Sequence, residues 1–175
     1  MPHELMTERL VLRQLTVADA PALRQICTQP YVLKWMPDWE MPLADMEGLI
    51  AWYCDCYAKP ETMRIMLAMT LKDSGKMIGL VGTGRKPEVD DDVEIMYYID
   101  EAFSARGYTS EAARALADHA LQTLAIDHLI GIAEPDNPGS QKVLARAGFT
   151  QEGTRLILNS GEHEEKPFLY YRRNR

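Results

Sequence analysis

The spacing of apolar residues along the chain changes twice, and the changes divide it into elements. Leu10–Gln14 reads as a first strand. Thr16, Val17, Ala18 and Asp19 make a capping-box-like helix start with Asp in the fourth place. Ala22, Leu23 and Ile26 are apolar positions of that helix, which Pro30 closes or just follows. Residues 31–42 carry Trp35, Met36, Pro37, Trp39, Met41 and Pro42 and are expected to be irregular. A second helix is predicted over about 43–57, with Met46, Leu49, Ile50 and Tyr53 on one stripe. The period then shortens. Residues 63–71 read as a strand that is apolar almost throughout, 76–85 as another after the turn Asp73, Ser74, Gly75, and 93–99 as a third after the acidic turn 87–92. Such short connections favour antiparallel neighbours.

The second half alternates. A helix over 109–124 has Ala113, Leu116, Ala117, Ala120, Leu121 and Leu124 at three- and four-residue spacing. Residues 128–133 form a short buried strand. Asn137 and Pro138 read as N-cap and first helical position, and that helix ends before Gly148. Residues 150–158 and 164–172 read as a final hairpin turning at Ser160 and Gly161. The order β-α-α-β-β-β-α-β-α-β-β predicts a mixed α/β (α+β) chain with about four helices, a largely antiparallel front and one parallel crossover.

Length and composition narrow this to one domain over 1–175, of ordinary globular composition at 46% hydrophobic and 26% charged residues. The formal charge of −7 argues against a nucleic-acid partner and favours amines or basic peptides over acidic ones. Cys27, Cys54 and Cys56 show no disulfide-framework spacing, and small buried hydrophobes are the better reading than a zinc pair. The N-terminal residues lack an apolar signal-peptide core, and no apolar run approaches the ~20 residues a membrane span needs. A cytoplasmic protein without a membrane partner is expected.

Two glycine clusters invite a phosphate reading. Gly79, Gly82 and Gly84 are followed by Arg85, Lys86 and Pro87 and open no helix, so a strand with a bulge or close backbone approach is expected. Arg106, Gly107, Tyr108, Thr109 and Ser110 follow a strand and open a long amphipathic helix. Free amides and the helix dipole there suit a pyrophosphate. Residue types alone leave open a simple tight turn.

The stretch Glu134-Pro135-Asp136-Asn137-Pro138-Gly139-Ser140 through Ala147-Gly148-Phe149 resembles a hallmark segment of the GNAT acyl-CoA N-acyltransferase superfamily. So does Glu94-Ile95-Met96-Tyr97-Tyr98 together with Arg106-Gly107-Tyr108-Thr109-Ser110-Glu111-Ala112. The start, Thr7-Glu8-Arg9-Leu10-Val11-Leu12-Arg13, is similar to the subgroup of ribosomal-protein N-terminal acetyltransferases. The likeness covers about 7–172. It implies a splayed sheet with a β-α-β core holding acetyl-CoA as cosubstrate. The pantetheine arm would pair with the backbone of Tyr97, Tyr98 and Ile99 between the strands at 93–99 and 128–133. The pyrophosphate would lie on the amides from Arg106 to Ser110. Asn137 would hold the pantetheine or the splay, and Ser140 would lie near the thioester sulfur. Three features depart from the family pattern. Ser104, Ala105 and Thr109 replace common phosphate-loop residues. Met96 replaces a frequent glycine and is expected to narrow the acceptor entrance. Leu144 stands where many members carry a tyrosine acid.

The resemblance implies acetyl transfer to a primary amine by direct attack in a ternary complex. The alternative is a catalytically weak acyl-CoA-binding sensor on the same fold. Such chemistry needs a neutral amine and a route for one proton. Glu94 is the candidate base or relay, with an ion pair or ammonium contact as the other reading. Ser140 is a candidate thiolate donor, with helix capping as the other. Trp35, Trp39 and Met96 are candidate acceptor-site residues. His163 at the hairpin tip matches no trusted metal spacing, so no metal is expected. The acceptor is expected to be a small-molecule or peptide amine, and the protein a monomer or homodimer.

Overall fold

A computed structural model describes residues 4–159 and 163–175. Its eight strands form one sheet in the order β1-β2-β3-β4-β5-β6-β8-β7. They are β1 (Glu4–Met6), β2 (Leu10–Gln14), β3 (Ile65–Leu71), β4 (Met77–Lys86), β5 (Asp92–Ile99), β6 (His128–Ala133), β7 (Thr150–Ile157) and β8 (Lys166–Asn174). All neighbours are antiparallel except β5 and β6, as the chain pattern predicts. The helices are α1 (Ala20–Cys27), α2 (Pro30–Leu33), α3 (Leu43–Cys56), α4 (Tyr108–Thr123) and α5 (Pro138–Arg146). The expected turn of the last hairpin at Ser160 and Gly161 lies outside the described residues.

Two features depart from the sequence reading. The edge strand β1 is three residues long and partly exposed, too short to leave an alternation signal. Residues 31–42 are not wholly irregular. Pro30 opens α2 rather than trailing α1, and Pro37–Trp39 makes a single 3₁₀ turn. Proline fixes a helical φ and needs no N–H partner at a first turn, so it starts helices as readily as it ends them.

The continuous apolar run of β3 is explained by cover on both faces. Ile65, Leu67 and Met69 join the core under α4, with Leu116, Ala117 and Leu129. Met66 and Ala68 join the core under α1 and α3, with Leu23, Met46, Ile50 and Tyr53. Asp19 secures the start of α1. Its carboxylate accepts from the Thr16 N–H at 2.8 Å and Thr16 hydroxyl at 3.1 Å, and pairs with Arg13 at 2.7 Å.

The glycines of β4 serve close approach, not phosphate binding. A Cβ at Gly79 would collide with the Tyr98 carbonyl, and one at Gly82 with the Met66 sulfur. A register shift between Met69 and Thr70 accompanies them. This flush packing seats β5 against β4 from Gly79 opposite Ile99 to Lys86 opposite Asp92.

Candidate active site

The sheet parts beside β5. On one side β5 pairs with β4 along its whole length, whereas on the other a single position, Glu94 opposite Ile130, joins it to β6. β6 meanwhile stays in register with β8 from His128 to Ala133. Each strand thus satisfies its backbone on its outer side, and the inner edges diverge beyond Glu94. The Asp100 N–H donates to the Ile78 carbonyl at 2.8 Å, so even-numbered residues of β5 face β4. By alternation Tyr97 and Ile99 turn their backbone groups into the gap, whereas Tyr98 spends its own on Leu80.

Gly107, at φ +83°, is the N-cap of α4 and offers no side chain to cap it. A left-handed φ costs an L residue about 1–2 kcal/mol, which suits glycine here. The Glu111 N–H is the first to reach back, to the Gly107 carbonyl at 3.0 Å, so the amides of Tyr108, Thr109 and Ser110 have no helical acceptor. Ala105 also holds a positive φ of 58°. A left-handed φ of this kind is one that glycine adopts more readily than alanine. The Ser104 hydroxyl donates to the Glu101 carbonyl at 2.8 Å, and the Arg106 guanidinium lies over the Phe103 ring at 5.6 Å.

Across the gap, the Asn137 side chain caps α5 by accepting the Ser140 N–H at 3.1 Å. That leaves the Ser140 hydroxyl free of capping duty. It lies 2.9 Å from the Tyr97 hydroxyl, which also donates to the Ser140 carbonyl at 3.2 Å. Tyr97 therefore bridges β5 to α5. Burial pushes its phenol well up, although the bond to Ser140 opposes this. Leu144 is buried in the core, its methyl packed where a Cβ on Gly131 would stand. Its place is therefore taken up by packing against β6.

The other face of β5 carries Glu94, Met96 and Tyr98 toward α1 and α3. Burial raises the Glu94 carboxyl, and Lys86, with Nζ at 3.5 Å, opposes the rise. Lys86 Nζ also donates to Asn159 Oδ1 at 2.7 Å. Trp39 meets the Tyr98 ring edge-on at 4.9 Å, and Met96 packs in the same cluster. Trp35 lies outside that cluster, with Lys34 Nζ over its ring at 4.3 Å. The structure thus brings Glu94, Met96 and Trp39 to one face and sets Trp35 apart. The sequence marks Tyr98 only for its backbone; its buried hydroxyl, which has no hydrogen-bond partner among the described residues, leaves no signal there.

The remaining candidates are accounted for by packing. Cys27 and Cys56 are buried, and burial pushes the Cys27 thiol to about 11. Cys54 is half-buried, its thiol donating to the Leu15 carbonyl at 3.3 Å. His128, without an obvious partner in sequence, lies between Asp92 at 3.1 Å and Arg172 at 3.2 Å. Among the described residues no group of three or more His, Cys, Asp and Glu could hold a metal ion, and no helix is long and apolar enough to cross a membrane.

A family model described as an acetyltransferase (GNAT) domain matches residues 9–150. The uncharacterized N-acetyltransferase p20 of Bacillus licheniformis is 28% identical over 152 residues, covering 85% of this chain and 83% of its own. The ribosomal-protein-serine acetyltransferase of Escherichia coli (strain K12) is 32% identical over 78 residues, 45% of this chain and 44% of that protein. A solved structure of RimL, a ribosomal L7/L12 alpha-N-protein acetyltransferase in complex with coenzyme A, superposes with a TM-score of 0.80 over 98% of both chains. At 19% identity that likeness concerns the fold alone. The family match spans most of the chain and includes the two parted strands, β5 and β6, and the helices α4 and α5 that follow them, and so the chain belongs to the GNAT family of acetyl-CoA-dependent N-acetyltransferases.

Proposed function

We propose that the chain transfers an acetyl group from acetyl-CoA directly to a primary amine held in a ternary complex. The observation that carries this reading is the single pairing between β5 and β6 beside uncapped amides at the start of α4. In this reading Tyr97 and Ile99 receive the pantetheine arm as an added strand would be received. The amides of Tyr108, Thr109 and Ser110 receive the diphosphate, with Gly107 allowing close approach. Asn137 holds the α5 start, so that the Ser140 hydroxyl meets the sulfur and gives a proton to the leaving thiolate. The amine enters from the face bearing Glu94, Met96 and Trp39. Glu94 takes the proton that the attacking amine sheds, directly or through water. Cys27 and Cys54 spend their thiols on main-chain carbonyls, which supports direct transfer over an acyl-cysteine.

The acceptor we propose is a cationic or N-terminal amine with an apolar neighbour, from a small molecule or a peptide. Glu94 supplies charge and Trp39 an aromatic surface; Asp38 and Glu40 flank Trp39 in sequence. Asp90 and Asp91 contribute little, because Arg155 and Arg85 match them, while Asp92 meets the His128 ring at 3.1 Å. Acetylation of a panel of amines, read by mass together with free-thiol release, tests the proposal. Mass gains of one acetyl group in step with thiol release are expected. The second reading, an acyl-CoA-binding sensor, is favoured by the Lys86 ion pair that occupies Glu94. It predicts tight CoA binding with no amine-stimulated thiol release.

A further inference from the structure

The segment before β2 reaches across to the start of α4, about a hundred residues later in the chain. Glu111 Oε1 accepts from the Thr7 hydroxyl at 2.6 Å and the Arg9 N–H at 2.8 Å, and Oε2 from Arg9 Nε at 2.7 Å. An acid in the first turn of α4 would repel a phosphate; here its charge is matched before any ligand arrives. Arg9 Nη1 donates to the Arg106 carbonyl at 3.0 Å, and the guanidinium lies 4.3 Å from the centre of the Tyr108 ring. Three contacts therefore fix the plane of the fork. Nη2 takes no acceptor among the described residues and lies 3.4 Å from where a Cβ on Gly107 would stand. The side chain remains 40% exposed. Arg106 is adjacent to the glycine in sequence, yet it rests on Phe103, which Lys76 Nζ also covers at 4.7 Å.

We propose that Arg9 is a diphosphate-binding residue of the acetyl-CoA site, presenting Nη2 beside the Gly107 backbone and the free amides that follow. The inference rests on the acetyl-CoA reading above. A guanidinium held in place loses little freedom on binding, and it offers the planar N–H pair that phosphate oxygens accept. A free lysine at the same place would offer charge without that fork.

The test measures CoA affinity by calorimetry at several salt concentrations, and kcat/KM for acetyl-CoA and for acetyl-pantetheine, which lacks the diphosphate. Wild type is compared with Arg9→Ala, Arg9→Lys and Arg9→Gln, each checked by thermal melting. Arg9→Ala should weaken CoA at least tenfold and flatten its salt dependence, while kcat/KM for acetyl-pantetheine changes less than threefold. Arg9→Lys should recover part of the CoA affinity. Should Arg9→Ala not fold, Arg9→Gln, which keeps most of the stem and an amide donor, carries the same comparison. Unchanged CoA affinity in the folded variants overturns the proposal. So does an equal loss with acetyl-CoA and acetyl-pantetheine, which would make Arg9 a fold residue only. A wild-type protein that binds no CoA would instead overturn the acetyl-CoA reading itself.

Discussion

Replacing Tyr97 by Phe removes one hydroxyl that makes two contacts with Ser140, at 2.9 and 3.2 Å. A hydrogen bond of this kind contributes about 0.5–1.5 kcal/mol to stability, so the loss is at most about 3 kcal/mol. In a chain of this length a change of 1 kcal/mol moves the melting temperature by about 2–4 °C, so Tyr97→Phe should melt no more than about 12 °C lower and remain folded. The catalytic effect is separable. If the Ser140 hydroxyl protonates the thiolate, Ser140→Ala should lower kcat by about 10²-fold, the lower end of what positioned acid–base groups supply. Tyr97 acts only by aligning that hydroxyl, so Tyr97→Phe alone should cost roughly three- to tenfold, the equivalent of about 0.6–1.4 kcal/mol of alignment. In the double variant kcat should then equal that of Ser140→Ala, since no hydroxyl remains to be aligned. Steady-state thiol release with saturating acetyl-CoA measures all three. Full multiplicativity of the two single effects would refute coupling through Ser140, and an unchanged kcat in Ser140→Ala would refute the donor itself.

Glu94→Gln should lower kcat/KM by about 10²-fold or more at neutral pH, with a smaller defect at high pH where free amine is abundant. A base works only when deprotonated, and burial raises the Glu94 carboxyl, so the acid limb of the wild-type pH profile should lie above the ordinary carboxylate range. Lys86 opposes that rise; Lys86→Met should therefore move the limb to still higher pH, and an unmoved limb would assign it to another group. Gly107→Ala places a side chain at φ +83° and should cost about 1–2 kcal/mol of stability by melting, since the Cβ itself meets only Arg9 at 3.4 Å. Gly107→Trp should weaken CoA about tenfold or more in calorimetry, and unchanged affinity in the folded variant would remove the diphosphate from this loop. Trp39→Ala should raise the acceptor KM about two- to thirtyfold, as loss of ~0.5–2 kcal/mol of aromatic contact implies, with the KM for acetyl-CoA unchanged. A cationic acceptor should also lose kcat/KM with added salt relative to a matched anionic one.

Local chemistry was enough to write most of the element order. The strict three- and four-residue spacing from Ala113 to Leu124, the Asn137–Pro138 start and the Thr16–Asp19 cap each encode structure within a few residues, where propensity and capping act. The residues after β4's glycines rule out a phosphate loop by themselves, because no helix follows. The resemblance supplied the expectation of a splayed sheet, which periodicity cannot see. Tertiary structure alone decided which groups are available. Backbone alternation gave Tyr97 and Ile99 to the gap and took Tyr98 into the ladder, a distinction set by β4's register. The Ser140 hydroxyl is spared capping because Asn137 does it, and it meets the Tyr97 hydroxyl from a strand 43 residues away. The acids of the turn before β5, Asp90 to Asp92, are tied to partners contributed by β4, β6 and β7. Arg9 lies far from Gly107 in sequence and becomes its neighbour only when β2 packs beside α4, whereas Arg106, its chain neighbour, swings onto Phe103. Spacing reports interactions over one or two turns of chain; which donor remains unspent at a site depends on every partner the fold brings within 3 Å, and most of those come from distant segments.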